Sequence, residues 1–89
     1  MQEPNPMDQI ARTPKQIGAI IQRQRRKLQQ TQNSLGSRIK HRQATISRLE
    51  AGNPGTSLGT LLDVLAALNL EIVMRPRTKG SAEDFEGLF

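Results

Sequence analysis

The sequence has no cysteine, no tryptophan and no tyrosine. Its two phenylalanines, Phe85 and Phe89, both fall near the C-terminus. Without cysteine there is no disulfide framework and no thiol chemistry, which fits a reducing cytoplasm. Without aromatics elsewhere there are no stacking platforms for single-stranded nucleic acid. No apolar run approaches the length of a membrane helix, and the start MQEPNPMDQIA has neither the basic nor the apolar region of a secretory leader. A lone histidine, His41, with no cysteine beside it argues against a metal site. Thr45, Ser47 and Ser57 are isolated hydroxyls with no histidine placed to activate them. The chain is therefore expected to be no enzyme and to need no cofactor.

Acid is also missing from a long stretch. Glu50 is the only carboxylate between Asp8 and Asp63, whereas the interval Lys15 to Arg48 carries nine lysines and arginines. The whole chain has a formal net charge of +5 and a pI near 10.8. This balance points to nucleic acid or another acidic surface. At 89 residues there is room for one small domain with flanking arms, and its modest core would gain from dimerisation.

In chain order, residues 1–12 form a polar arm, with a turn of helix expected near Met7 to Ala11. Thr13-Pro14-Lys15-Gln16 is a clear helix start: Thr13 caps, Pro14 takes the first helical position and Gln16 completes a capping box. That helix is expected to run to about Gln29 and to bury Ile17, Ile20, Ile21 and Leu28, with Gln24 in the same register. Its basic end suits the helix dipole. Further on, GNPGT at 52–56 reads as a loop. Thr56 or Ser57 then caps a helix over about 58–68, where Leu58, Leu61, Leu62, Leu65 and Leu68, widened by Val64, form the main wall of the core.

The stretch Thr31 to Gly52 organises the rest. Thr31 is an N-cap, Gln32 opens a helix at a phosphate-binding position, and Leu35 and Ile39 share its inner face. Ile46 and Leu49 mark the inner face of a second helix that starts near Arg42. Gly52 stops it. Its outward face carries Gln43, Ala44, Ser47 and Arg48, with Thr45 at the edge. These side chains match base edges in a major groove: glutamine fits adenine, alanine or a threonine methyl meets thymine, and arginine binds guanine or phosphate. Polar residues also cover ordinary solvated faces. The acid-free basic surroundings favour groove reading, with Gln32, Lys40 and Arg42 on phosphates.

After Asn69 the pattern changes period. Leu70, Ile72 and Met74 alternate with Glu71, Val73 and Arg75, and Pro76 ends the run, which predicts a strand over 70–75. No second strand candidate exists in the chain, so the strand, through Leu70, Ile72, Val73 and Met74, is expected to pair across a homodimer axis. Packing as a plain tail is the simpler alternative. Such a dimer sets two reading helices about one DNA turn apart and calls for a palindromic operator. Residues 76–89 read as a disordered acidic tail. The fold class is thus an all-α helix-turn-helix domain over 13–69, with four main helices and a C-terminal dimer strand.

The residues Thr31-Gln32, Leu35, Ile39, Gln43 to Glu50 and Gly52 resemble the helix-turn-helix of Cro/C1-type repressors, the Xre family. The resemblance spans about residues 14–69 and implies a lambda-repressor-like fold. It also implies an internal ion pair between Arg25 and Glu50. Three departures stand out: Gln29-Gln30 where many members have Gly-Leu, Gly36 where alanine is usual, and Lys40 where glycine is usual. Lysine at a left-handed position costs about 1 kcal/mol. The turn and helix Lys40 to Ser47, the helix over 56–68 and above all the terminal strand are similar to HipB-type antitoxins. That resemblance implies a repressor of its own operon that also holds a HipA-like Ser/Thr kinase toxin, cytoplasmic and joining the nucleoid on its operator. A stand-alone Xre-type repressor and a protein-interaction adaptor that does not bind DNA are the rival expectations.

Overall fold

The structure is a computed structural model and describes residues 8–77. Four helices succeed one another: α1 (Pro14–Lys27), α2 (Gln32–Arg38), α3 (Gln43–Glu50) and α4 (Leu58–Ala67). Their starts obey local chemistry. The Thr13 hydroxyl accepts from the Gln16 backbone N–H at 3.1 Å, and Pro14 takes the first helical turn, where a missing N–H costs nothing. Thr31 and Ser34 form a reciprocal capping box, each hydroxyl accepting the other's backbone N–H at 3.0 Å. Ser57 caps α4. Arg42 caps α3 by backbone position alone, with no side-chain bond. The expected box at α1 is displaced by one residue: the Gln16 side chain accepts from the N–H of Arg12, not of Thr13.

All four helices end the same way. The N–H two residues past each C-cap reaches the carbonyl three residues before it: Gln30 to Arg25, His41 to Gly36, Asn53 to Arg48, and Leu70 to Leu65. This closure needs a left-handed residue directly after the cap. The four are Gln29 (φ 58°), Lys40 (φ 59°), Gly52 (φ 88°) and Asn69 (φ 59°). Only glycine adopts that angle without strain, and asparagine tolerates it. Gln29 and Lys40 are therefore held there by the backbone bonds of Gln30 and His41 that close each turn, and α1 stops at Lys27, short of Gln29. The glycine at position 36 has a separate reason. An added Cβ would lie 2.7 Å from the carbonyl oxygen of His41, so its absence lets the α2–α3 turn fold tightly onto the helix.

The core consists of Ile21 from α1, Leu35 from α2, Ile46 and Leu49 from α3, and Val64, Leu65 and Leu68 from the α4 region. Ile17, Ile39, Leu61, Ala67 and Leu70 pack against it, half-buried. Gln24 ties the ends of α1 and α4 together by donating to the Leu68 carbonyl at 3.0 Å. Gly18 is buried where α1 crosses α3, since any side chain there would strike the carbonyls of Leu49 and Glu50.

Four expected core residues lie elsewhere, and of these Ile20 is half-buried outside the core cluster. Leu58 is 67 % exposed, Leu62 46 % and Leu28 41 %. The core takes Leu61, Val64, Leu65 and Leu68, while Leu58, in the first turn of α4, and Leu62 stay outside it. Leu28 caps α1 rather than extending it.

Before α1, residues 8–12 form no helix, so the turn expected at Met7 to Ala11 is absent from its described part. The segment lies back on α1, with Arg23 donating to the Gln9 side chain at 2.9 Å. After α4, residues 70–77 form neither helix nor paired strand in the single chain. Residues 1–7 of the arm and 78–89 of the acidic tail lie outside the described residues. Among the described residues, no helix is long and apolar enough to cross a membrane.

Candidate nucleic-acid interface

Helix α3 divides cleanly. Ile46, Leu49 and Glu50 are buried, while Gln43, Ala44, Ser47 and Arg48 are exposed and Thr45 is half-buried. The spacing of the inner residues fixes this: once Ile46 and Leu49 enter the core, the positions around Gln43, Ala44, Ser47 and Arg48 have only the outward side left. Lys40 and Arg42, in the turn before α3, are exposed as well. Gln32 opens α2 and is half-buried beside α3.

The electrostatics of this face depend on one carboxylate. Glu50 is buried beneath it, where Arg25 grips it with both arms of its guanidinium: Nε to Oε2 at 2.6 Å and Nη2 to Oε1 at 2.9 Å. Arg25 also donates to the Gln30 carbonyl at 2.8 Å, which anchors the left-handed turn after α1. The hydrogen bonding it donates to Glu50 raises the Arg25 pKa above its ordinary value, against the opposing effect of burial. A raised folded-state pKa stabilises the fold wherever pH lies below the ordinary arginine value and is lost only above it, so the pair holds across the physiological range. Between Asp8 and Asp63 the single acid is thus spent inside the protein, and α2 and α3 themselves carry cations with no exposed carboxylate.

Three contacts had no signal in the sequence. Gln32 donates its amide to Glu50 Oε1 at 3.1 Å and accepts from the Gln43 amide at 3.4 Å. His41 meets Asp63 of α4 at 3.3 Å, tying the α2–α3 turn to the last helix. Partners 11 to 22 residues apart in the chain leave no local pattern to find. Among the described residues, no group of three or more His, Cys, Asp or Glu could hold a metal. A cleft of about 610 Å³ is lined by residues 8–14, Ile17 and 71–77, and it shares no residue with α2 or α3.

Solved structures share this arrangement. A HipB variant in an O2 20mer complex matches 80% of this chain and 99% of its own, at 28% identity and a TM-score of 0.75. HipB from a HipA-HipB-O2-O3 complex matches 80% of this chain and all of its own, at 28% identity and a TM-score of 0.74. HipB in an O1-O2 complex matches 76% of this chain, at 29% identity and a TM-score of 0.72. The chain has a HipB-like helix-turn-helix fold. No protein-family model matches it, and neither does any curated protein sequence.

The HipB-like part leaves its C-terminal edge open. Leu70 packs on the core, but Ile72 is 44 % exposed, Val73 61 % and Met74 89 %. These side chains are among those expected to form a dimer strand, and in the single chain they stay largely exposed, beside the cleft that Ile10 and Ile17 also line.

Proposed function

We propose that this HipB-like chain is a sequence-specific repressor that binds a palindromic operator as a homodimer and has no catalytic role. Gln43, Ala44, Thr45, Ser47 and Arg48 read bases, and Gln32, Lys40 and Arg42 position the protein on phosphates. The observation that carries the proposal is the outward face of α3, polar and free of exposed acid, on a fold shared with HipB bound to operator 20mers. Residues 70–75 pair with the same residues of a second copy, which would cover Ile72, Val73 and Met74. The dimer occludes its own operon's promoter. As HipB shares a solved complex with HipA, the protein partner proposed for this chain is a HipA-like kinase toxin, which it holds inactive.

A gel-shift comparison of cognate and scrambled duplexes at two salt concentrations tests this. Affinity should fall steeply with salt, since phosphate contacts release counterions. Gln43→Ala should lose sequence preference while retaining non-specific binding, and Lys40→Ala should weaken all duplexes about equally. Equal loss on cognate and scrambled DNA for Gln43→Ala would refute its base-reading role. A pull-down from native cells that returns no larger partner would leave a stand-alone repressor.

A further inference from the structure

Between Leu70 and Pro76 the chain reads Glu71-Ile72-Val73-Met74-Arg75. In a strand Leu70, Ile72 and Met74 share one side, and Glu71, Val73 and Arg75 share the other. Leu70 packs on the core, so the first side is the inner one. The second side holds an acid and a base placed evenly about Val73. Among the described residues, neither Glu71 nor Arg75 forms an ion pair within the single chain.

We propose that this segment sets its own register and selects its own partner: the two-fold axis of the homodimer is centred on Val73, and Glu71 of each chain meets Arg75 of the other. The proposal rests on the homodimer reading above and adds to it which residues face each other. Directly opposite residues of an antiparallel pair share a face, so two identical strands are symmetric only about a residue set opposite its own copy. Centring on Glu71 or on Arg75 puts two like charges opposite each other, which is destabilising. Centring on Ile72 puts Glu71 opposite Val73. Centring on Met74 pairs Glu71 with Arg77, but it puts Arg75 opposite Val73 and takes Pro76 into the ladder. Centred on Val73, every residue meets a match: Glu71 with Arg75, Ile72 with Met74, and Val73 with itself. If residues 71, 73 and 75 exchange the backbone bonds, the missing N–H of Pro76 falls on the edge away from the partner. One exposed ion pair is worth little. Symmetry doubles it here, and the other registers replace it with repulsion or with a charge against an apolar side chain. The difference between registers therefore decides the pairing, not the strength of either bridge.

The chain has no cysteine, so single-cysteine variants of the full protein report the register directly. The five positions are exposed or half-buried in the single chain, and substitutions there leave its core intact. Opposite residues lie within disulfide reach, whereas diagonal ones, about 7–8 Å apart, do not. Under mild oxidation Val73→Cys should give a covalent dimer, and Ile72→Cys and Met74→Cys should not. Failure of Val73→Cys to cross-link, or preferential cross-linking of either neighbour, overturns the register. The charges are tested by exchange. Glu71→Arg and Arg75→Glu should each weaken self-association by about tenfold or more, because each creates two like-charged pairs. Mixed together, these two variants should form a heterodimer about as stable as the wild-type dimer, with both cations on one strand and both anions on the other. Combining both substitutions in one chain should restore the homodimer. Unchanged self-association of the single variants, or no preference for the heterodimer, overturns the ion pairs. A monomeric wild type overturns the proposed homodimer and this inference with it; a dimeric wild type whose variants fail these tests overturns the inference only.

Discussion

The α2–α3 pair and the C-terminal region solve the same problem in opposite ways. Between α2 and α3 every large apolar side chain is turned inward, and the polar groups at the seam are joined: Arg25 to Glu50, Glu50 to Gln32, Gln32 to Gln43. The region from Leu58 to Met74 is richer in leucine, yet it leaves Leu58, Leu62, Ile72, Val73 and Met74 exposed. The first region is complete in one chain and offers the outside only polar chemistry. The second offers apolar surface that water covers at a cost. A small domain buries a limited fraction of its surface, so apolar side chains beyond the single core remain for a partner to cover.

The largest expected effect breaks the first region from within. Glu50→Ala leaves the Arg25 guanidinium buried without its counterion and should cost about 3–5 kcal/mol in urea unfolding. Replacing both residues by apolar ones of similar volume should recover most of that loss, because the penalty comes from the unpaired charge. Gly18→Ala should come next, at about 1–3 kcal/mol of destabilisation, as the α1–α3 crossing must open to admit a methyl group. Glycine to alanine inside a helix is ordinarily stabilising, so a gain in stability would refute the close crossing. Lys40→Gly should have the opposite sign and raise stability by about 1 kcal/mol, relieving the left-handed angle at φ 59°. If Lys40 also contacts phosphate, the same variant should reduce the salt dependence of DNA binding by about one unit of slope. The smallest effect on stability falls in the second region. Val73→Asp should change monomer stability by no more than about 0.5 kcal/mol, as the side chain is already exposed. Its effect should appear in mass measurement, as loss of dimer. A Val73→Asp protein that still dimerises would remove the 70–75 pairing, and one that unfolds as a monomer would contradict the exposure of this edge.

Much of the fold was legible because it is written locally. Thr13-Pro14, Thr31 and Ser57 cap helices through bonds spanning three residues, and those bonds form where the caps fall. The inner and outer residues of α3 result from the spacing of Ile46 and Leu49. Less legible was α4. Five leucines and a valine mark one broad stripe, but periodicity gives only the direction of an apolar face and not how much of it neighbours can reach. Leu61, Val64, Leu65 and Leu68 meet the core, and Leu58 and Leu62 stay outside it. The C-terminal run shows a related limit. An alternating segment states that it could be a strand, and a strand exists only where a second backbone meets it.

The sequence by itself determined where the helices begin, which side of α3 faces out, and that this side carries cations without acids. These depend on residue type and on spacings of three or four, which any helix converts into a face. Only the tertiary structure decided that Gln32 would reach both Glu50 and Gln43, and that His41 would meet Asp63. Those outcomes depend on side chains brought together from separate helices, and the packing that brings them together is set by the whole core at once.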